Sequence, residues 1–255
     1  MTADEVIAAC GLPSSALVGQ RVPKKLLVEH GAATGTDKKS INDLVDELHW
    51  TAALKPTTVG LAAYRDDARE VLEVAVLTLT LRAGASDAKA ARLTELVHRA
   101  IPYPLLLIAS GMPTGPRLSL VDKRWSQGES GKTVLDGDVH EVRLGELPTA
   151  LCQQLLPALA LTARPRPHLY ALYRGWMDAF TAVDAARLTT NFRVPATPEE
   201  AAERRAALLA VSVLESRMAS LRSLATKERQ TSRLVELNLE LQLLQSQHRE
   251  AIAKL

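Results

Sequence analysis

The sequence has few aromatic residues and little excess charge, and each scarcity excludes a class of protein. Aromatic residues make up 4% of the 255 residues, so the core must consist mainly of leucine, valine, isoleucine and alanine. Such a core favours helices with a modest sheet over an aromatic-rich β-sandwich. The formal net charge of +2 is too small to indicate nucleic-acid binding by itself.

Long hydrophobic runs and a signal peptide are also missing. No segment approaches the roughly 18 consecutive apolar residues that a membrane helix needs. The first ten residues, MTADEVIAAC, carry acids where a signal peptide carries lysine or arginine. We therefore expect a cytoplasmic protein that does not contact the membrane. The two cysteines, Cys10 and Cys152, lie among apolar residues in predicted helices, which predicts reduced core thiols rather than a disulfide.

Enzyme signatures are absent as well. The sequence has neither a G-x-S-x-G nucleophile elbow nor a Rossmann glycine pattern. Its six histidines show no spacing typical of a zinc site. We therefore predict no cofactor, no metal site and no catalytic residue. These histidines are His30, His49, His98, His140, His168 and His248.

The segment WSQGESGKTV, residues 125–134, resembles a phosphate-binding loop only superficially. That loop needs a glycine five residues before the glycine-lysine pair, and the residue there is Ser126. It must also lead into a helix whose N-terminus faces the phosphate. Here a β-like segment follows, with a hairpin signal at Asp136 and Gly137. The sequence therefore predicts a polar loop between strands.

Hydrophobic periodicity predicts an α+β fold with a mixed or antiparallel sheet. A 3- and 4-residue spacing of apolar residues indicates helices, and alternation or short buried runs indicate strands. The predicted elements are a first helix capped by Thr2 and Glu5, a helix over Asp37–Thr51 with Ile41, Leu44, Val45 and Leu48 on one face, a strand over Glu70–Arg82, a helix capped by Ser86, strands over Leu105–Ser110 and Arg117–Trp125, and a hairpin at Asp136.

Three regions follow along the chain. Residues 1–146 form the predicted α+β domain, with helices packed on the sheet. Residues 147–197 form a helical connector, in which Pro157 must kink or end a helix and His168–Thr189 forms a helix whose aromatic face packs in the core. Residues 198–255 form a helical tail that begins at the cap residue Thr197.

The tail carries the strongest signal in the sequence. No glycine or proline occurs from Glu199 to Leu255, so the tail is either one long helix or a hairpin that turns in the polar run Thr226–Arg233. Apolar residues at 3- and 4-residue spacing form a stripe along each half of the tail, and such a stripe must pack against another surface. That surface belongs to the tail itself, to a second copy of the chain or to another protein. We therefore predict a coiled-coil interaction element. Its predicted interface residues are Leu214, Met218, Leu221, Leu234, Leu237, Leu241, Leu244 and Leu255.

Besides association through the tail, two further functions stay open. The first is direct nucleic-acid binding by basic side chains that neutralise phosphates. The second is a divergent metal-dependent nuclease, for which the nearest acids are Asp66, Asp67, Glu73 and Asp122; Asp122 and Lys123 are adjacent, so in a strand they point to opposite faces. The candidate nucleic-acid contacts are Arg21, Lys24, Lys25, Lys38, Lys39, Lys123, Arg124, Lys227, Arg229 and Arg233.

Several segments together resemble a bacterial family of unknown function. They are RVPKK at residues 21–25, IPYPL at 101–105, DKRW at 122–125, the helix LYALYRGWMDAFTAVDAARLT and KERQTSRLVELNLELQLL at 227–244. Members of that family look like accessory proteins encoded beside DNA methyltransferases and helicases in restriction or anti-phage gene clusters. The resemblance implies that neighbourhood. The apolar stripes of the tail and the missing catalytic signatures lead us to expect a non-enzymatic accessory subunit, which associates through its C-terminal helices with itself or with such an enzyme.

Overall fold

The computed structural model describes residues 1–129 and 131–255 and has an α+β fold. Within these residues the chain forms two compact units, Met1–Phe180 and Thr181–Leu255, which we call the sheet unit and the hairpin unit. None of the described helices is both long enough and apolar enough to cross a membrane.

The helices and strands follow one another in this order: α1 (Ala3–Cys10), β1 (Leu17–Arg21), α2 (Lys24–His30), α3 (Gly35–Leu44), β2 (Val45–Leu54), α4 (Pro56–Val59), β3 (Tyr64–Arg65), β4 (Glu70–Val71), β5 (Val74–Leu81), α5 (Asp87–Ala100), β6 (Leu105–Ser110), β7 (Arg117–Trp125), β8 (Thr133–Arg143), α6 (Thr149–Ala158), α7 (Leu169–Thr189), α8 (Pro198–Lys227) and α9 (Thr231–Ile252).

One mixed sheet organises the sheet unit. Its strand order is β1-β2-β5-β6-β7-β8, and β3 pairs with β4 in a separate small ribbon. Only β5 and β6 pair in parallel within the six-stranded sheet, because α5 crosses between them. The expected α+β class with a mixed sheet is therefore confirmed.

Helices α5 and α7 each bury apolar residues in the sheet unit. Leu93, Leu96 and Val97 of α5 belong to the same buried cluster as Leu77 of β5 and Leu107 of β6. Each such side chain contributes roughly 1.5–3 kcal/mol when it leaves water completely.

From α7, the Tyr173 hydroxyl donates to the Val121 carbonyl at 2.7 Å and accepts from the Val121 amide at 2.9 Å. The indole N–H of Trp176 donates to the Leu159 carbonyl at 2.8 Å. These bonds satisfy the polar atoms of two aromatic side chains that are fully buried, so the aromatic face of α7 is core, as predicted.

The sequence predicts boundaries at residues 146 and 197, whereas the compact units divide at Phe180. The difference arises because the first half of α7 supplies Tyr173 and Trp176 to the core of the sheet unit.

Several local predictions are confirmed. Thr2 and Glu5 form the expected capping box of α1, and Ser86 accepts a hydrogen bond from the Lys89 amide at the start of α5. Helix α6 ends one residue after Pro157. Both cysteines are free and buried, and burial raises the pKa of Cys10 to about 12.

The predicted helix over Asp37–Thr51 is wrong in its second half. Helix α3 ends at Leu44, and β2 begins at Val45. A bulge between Val45 and Glu47 inserts an extra residue, so Val45 and Leu48 are both buried although they are three residues apart. That spacing imitates a helix. Strand β1 and helix α2 are not among the elements predicted from the sequence.

The predicted hairpin at Asp136 is also wrong. Strand β8 is continuous from Thr133 to Arg143, and its pairing with β7 shifts between Leu120 and Asp122. Gly137 has φ of 96° at this irregularity, a conformation that favours glycine. The aspartate-glycine pair therefore marks a bulge inside one strand. A loop does lie between β7 and β8, over the described residues 126–129 and 131–132 of the predicted segment; Ser130 lies outside the described residues. Thr133 begins a strand rather than a helix.

Candidate functional site

The tail is a helical hairpin. Helix α8 ends at Lys227, and the Glu228 carboxylate accepts hydrogen bonds from the amides of Arg229 and Gln230, each at 2.8 Å. Helices α8 and α9 pack antiparallel. Two contacts show this: Glu215 lies 3.1 Å from His248, and Arg217, further along α8, lies 3.8 Å from Glu240, which is earlier in α9. Of the two arrangements that the sequence leaves open, the structure has the hairpin.

The predicted interface residues lie mainly between the two helices of this hairpin. Met218, Leu237 and Leu244 are buried, together with Val211 and Ala251. We call this contact the seam. The seam contains residues of both predicted stripes, so the two stripes pack against each other within the hairpin. The other predicted interface residues are partly buried: Leu214, Leu221, Leu234, Leu241 and Leu255.

A second apolar surface, which the sequence analysis missed, lies away from the seam. Its side chains are exposed by half or more, and we call it the outer face. On α9 these residues are four positions apart, and on α8 they are four and eleven positions apart. Both spacings bring the residues to one side of their helix. On each helix their mean direction lies roughly 140–160° around the axis from that of the seam residues. The outer face comprises one stripe on each helix: Leu209, Val213 and Leu224 on α8, and Val235, Leu239 and Leu243 on α9.

The polar residues near the outer face of α8 are mostly uncharged. Ser212, Ser216, Ser220 and Ser223 are exposed among its aliphatic side chains. A helix face that is made only to be solvated usually carries lysine and glutamate instead. Uncharged hydroxyls cost less to remove from water than ammonium or carboxylate groups do. The outer face is therefore suited to being covered.

The predicted nucleic-acid contacts belong to several elements of the two units. Arg21 lies 3.6 Å from Glu47, and Lys25 lies 3.5 Å from Glu29. Partial burial, together with the nearby positive charge of Arg82, lowers the pKa of Lys24. Lys38 and Lys39 are exposed on α3, whereas Lys227, Arg229 and Arg233 are exposed around the turn of the hairpin.

Lys123, another predicted nucleic-acid contact, is buried. Its ammonium donates hydrogen bonds to the carbonyls of His98, at 2.7 Å, and Ile101, at the end of α5. A cation suits this position because the last carbonyls of a helix lack partners within the helix. Burial lowers the pKa of Lys123 to about 7. Its neighbour Arg124 is partly exposed and lies 3.4 Å from Asp136.

Three of the four acids considered for a nuclease, Asp66, Glu73 and Asp122, are paired with cations or peptide groups. Asp122 lies 2.7 Å from Arg174 and 3.1 Å from Arg69, and it accepts a hydrogen bond from Tyr170 at 3.1 Å. Arginine in these positions would repel a metal ion. Asp122 and Lys123 thus have separate partners, as expected from their alternation along β7.

The remaining acids do not complete a site. Glu73 is buried and lies 3.1 Å from Lys55. Asp66 accepts hydrogen bonds from the Tyr64 hydroxyl and from the amides of Ala68 and Arg69. Asp67 is exposed. Over residues 1–129 and 131–255, no three histidine, cysteine, aspartate or glutamate residues are grouped as metal ligands would be. The geometry therefore gives a metal-dependent nuclease no support.

Comparison with known proteins gives one match. No curated protein and no solved structure matches the chain. A family model described as a domain of unknown function, DUF4391, matches residues 10–247, which include both units almost completely. The chain therefore belongs to the DUF4391 family.

Proposed function

We propose that the protein is a non-enzymatic accessory subunit that associates with another protein through the outer face of its hairpin. The observation that carries this proposal is the outer face itself, six aliphatic side chains exposed by half or more on two adjacent helices. Apolar surface of this kind gains roughly 25 cal/mol for each Å² removed from water. Exposed apolar surface rimmed by polar groups is a common feature of interaction sites.

The partner in this proposal is a helicase or methyltransferase of a bacterial defence system, or a second copy of the chain. The resemblance to accessory proteins encoded beside such enzymes supports the first choice. A cytoplasmic location is part of the same proposal, since those enzymes act on DNA inside the cell.

The test compares two sets of substitutions in the full-length chain. The outer-face variant carries Leu209→Gln, Val213→Gln, Leu239→Gln and Leu243→Gln. The control carries Leu17→Gln and Leu72→Gln, which replace leucines of similar exposure in the sheet unit. The measurements are solution mass by light scattering and, by mass spectrometry, the proteins that co-purify from the native host.

We expect the outer-face variant to lose its partner, or to fall from oligomer to monomer, while the control behaves as the wild type. If the wild type is a monomer and the same proteins co-purify with both variants, the proposal is wrong.

A second candidate function is nucleic-acid binding at the turn of the hairpin. Lys227 and Arg229 are exposed there, and neither forms an ion pair with any residue that the structure describes. Such cations can neutralise phosphates and release counterions. The double variant Lys227→Gln, Arg229→Gln should therefore lower the slope of log affinity against log salt by about 1–2. An unchanged slope in a mobility-shift titration would count against this function.

A further inference from the structure

Two adjoining cavities form a cleft in the sheet unit, far along the chain from the hairpin. The larger has a volume of about 510 Å³ and is lined by the end of α2, by Trp50 of β2 and by residues 99–103 and 131–133. The smaller has a volume of about 350 Å³ and includes Lys123 and His98. Arg99 and Thr133 line both cavities. Volumes of this size suit a small organic ligand.

Two aromatic rings stand in the larger cavity. Trp50 and Tyr103 meet edge to face, with ring centroids 6.1 Å apart and planes inclined by 72°. Both rings are partly buried and pack against the core cluster, which holds them in place. The indole N–H of Trp50 is buried, and no hydrogen-bond acceptor for it occurs among the described residues. A buried donor without an acceptor is costly, and a ligand that accepts this hydrogen bond would remove the cost.

Cations line the same cavity. Arg99 and Lys132 each have one carboxylate neighbour, Glu95 and Glu129 respectively, and both retain exposed surface. His30 also lines the cavity, as does the acid Glu29. Excluding histidine, the lining carries the cations Arg99 and Lys132 and the acid Glu29, so a phosphate that replaced the two neighbouring carboxylates would find two cationic partners.

We propose that this cleft binds a nucleotide, either free or as one unit of a single-stranded nucleic acid. The base lies against Trp50 and Tyr103, because stacking on an aromatic ring suits any flat base. The phosphate contacts Arg99 and Lys132 in place of their present carboxylate partners. Lys132 and Thr133 belong to the GKT tripeptide, which thus meets a phosphate outside the usual loop-to-helix arrangement.

This proposal does not depend on the association through the hairpin. Its residues all belong to the sheet unit, and neither the outer face nor the hairpin turn contributes to the cleft. Light scattering on the cleft variants below should therefore give the wild-type mass, whichever way the association test ends.

The test measures binding of a fluorescein-labelled single-stranded adenine decamer to the full-length protein by fluorescence anisotropy at about 50 mM salt. Trp50→Leu should weaken binding about 5-fold or more, because base stacking is lost. Trp50→Phe, which keeps a ring, should restore most of the affinity. Arg99→Gln should weaken binding and lower the salt slope by about one. Lys89→Gln, an exposed charge change on the same helix, is the matched control and should have no effect.

Unlabelled AMP distinguishes the two sources of the nucleotide. If AMP displaces the decamer, the cleft takes a free nucleotide; if it does not, the cleft takes a unit of a strand. The proposal is overturned if neither probe binds. It is equally overturned if the decamer binds but Trp50→Leu and Arg99→Gln leave its affinity unchanged, or if only Lys227→Gln, Arg229→Gln abolishes binding.

Discussion

The sheet unit and the hairpin unit differ in where they keep their aliphatic side chains. In the described part of the much longer sheet unit, the large apolar residues that are exposed are Met1, Leu17, Val18, Leu72 and Val134. In the hairpin unit they are Leu188 and the six residues of the outer face. A sheet with helices on both faces can bury two apolar surfaces. Two helices share only one seam, so a second apolar stripe on either helix must find its partner elsewhere.

The largest loss of stability is expected from a substitution at Asp122, in the sheet unit. Asp122→Ala removes the carboxylate that pairs with Arg69 and Arg174 and leaves two partly buried guanidinium groups without it. Breaking such a pair costs about 3–5 kcal/mol of the free energy of unfolding. Urea denaturation should show this loss, and Asp122→Asn should show a smaller one. A wild-type midpoint for Asp122→Ala would show that the ion-pair cluster is not structural.

The next largest effect comes from comparing alanine substitutions at two adjacent leucines, one in the seam and one on the outer face. Leu244 is 2% exposed in the seam, whereas Leu243 is 60% exposed on the outer face. Leu244→Ala should cost about 2–5 kcal/mol, because it leaves a cavity. Leu243→Ala should change the free energy of unfolding by at most about 0.5 kcal/mol in the isolated protein. Equal losses in thermal or urea unfolding would contradict the assignment of the two faces.

A smaller effect concerns Lys123, whose pKa burial lowers to about 7. Its ordinary value is about 10.4, so between these values the unfolded chain binds more protons than the folded one. The free energy of unfolding therefore rises with pH in this window, by about 2 kcal/mol from pH 7 to pH 9. Lys123→Met removes this dependence.

The measurement for Lys123 is urea unfolding of both proteins at pH 7 and pH 9. Taking the difference between wild type and variant cancels the titration of Cys10, whose raised pKa acts in the opposite direction above its ordinary value. If wild type and variant keep the same difference in stability at both pH values, Lys123 is charged throughout, and the carbonyls of His98 and Ile101 offset its burial.

Much of the fold could be predicted from the sequence because its signals are local. The capping box at Thr2, the cap at Ser86 and the stop at Pro157 each act within a few residues. The errors lie where a distant strand decides the geometry. The bulge in β2 gives Val45 and Leu48 a helical spacing, and the bulge at Gly137 imitates a turn.

The candidate sites were harder to predict than the fold. The seam stripes were visible from their spacing, but which partner they use depends on the chain reversal near Glu228. The outer face repeats at similar spacing and could have been found by searching each helix for a second stripe. Nothing in the segment DKRW distinguishes the buried Lys123 from the partly exposed Arg124, because that difference comes from the position of α5.

The most direct test asks whether the outer face is covered in the cell, and it measures how fast an introduced cysteine reacts. Both native thiols are buried, so the introduced cysteine is the one that reacts. Leu239→Cys places a thiol on the outer face, and Ala88→Cys places one at an exposed position of α5 in the sheet unit as a control. The measurement is the rate of maleimide labelling of each variant in the native host and after purification under dissociating conditions. We expect labelling at position 239 to be slower in the cell by about tenfold or more, whereas position 88 reacts equally in both. Equal rates at position 239 in both states would show that nothing covers the outer face, and would contradict the account.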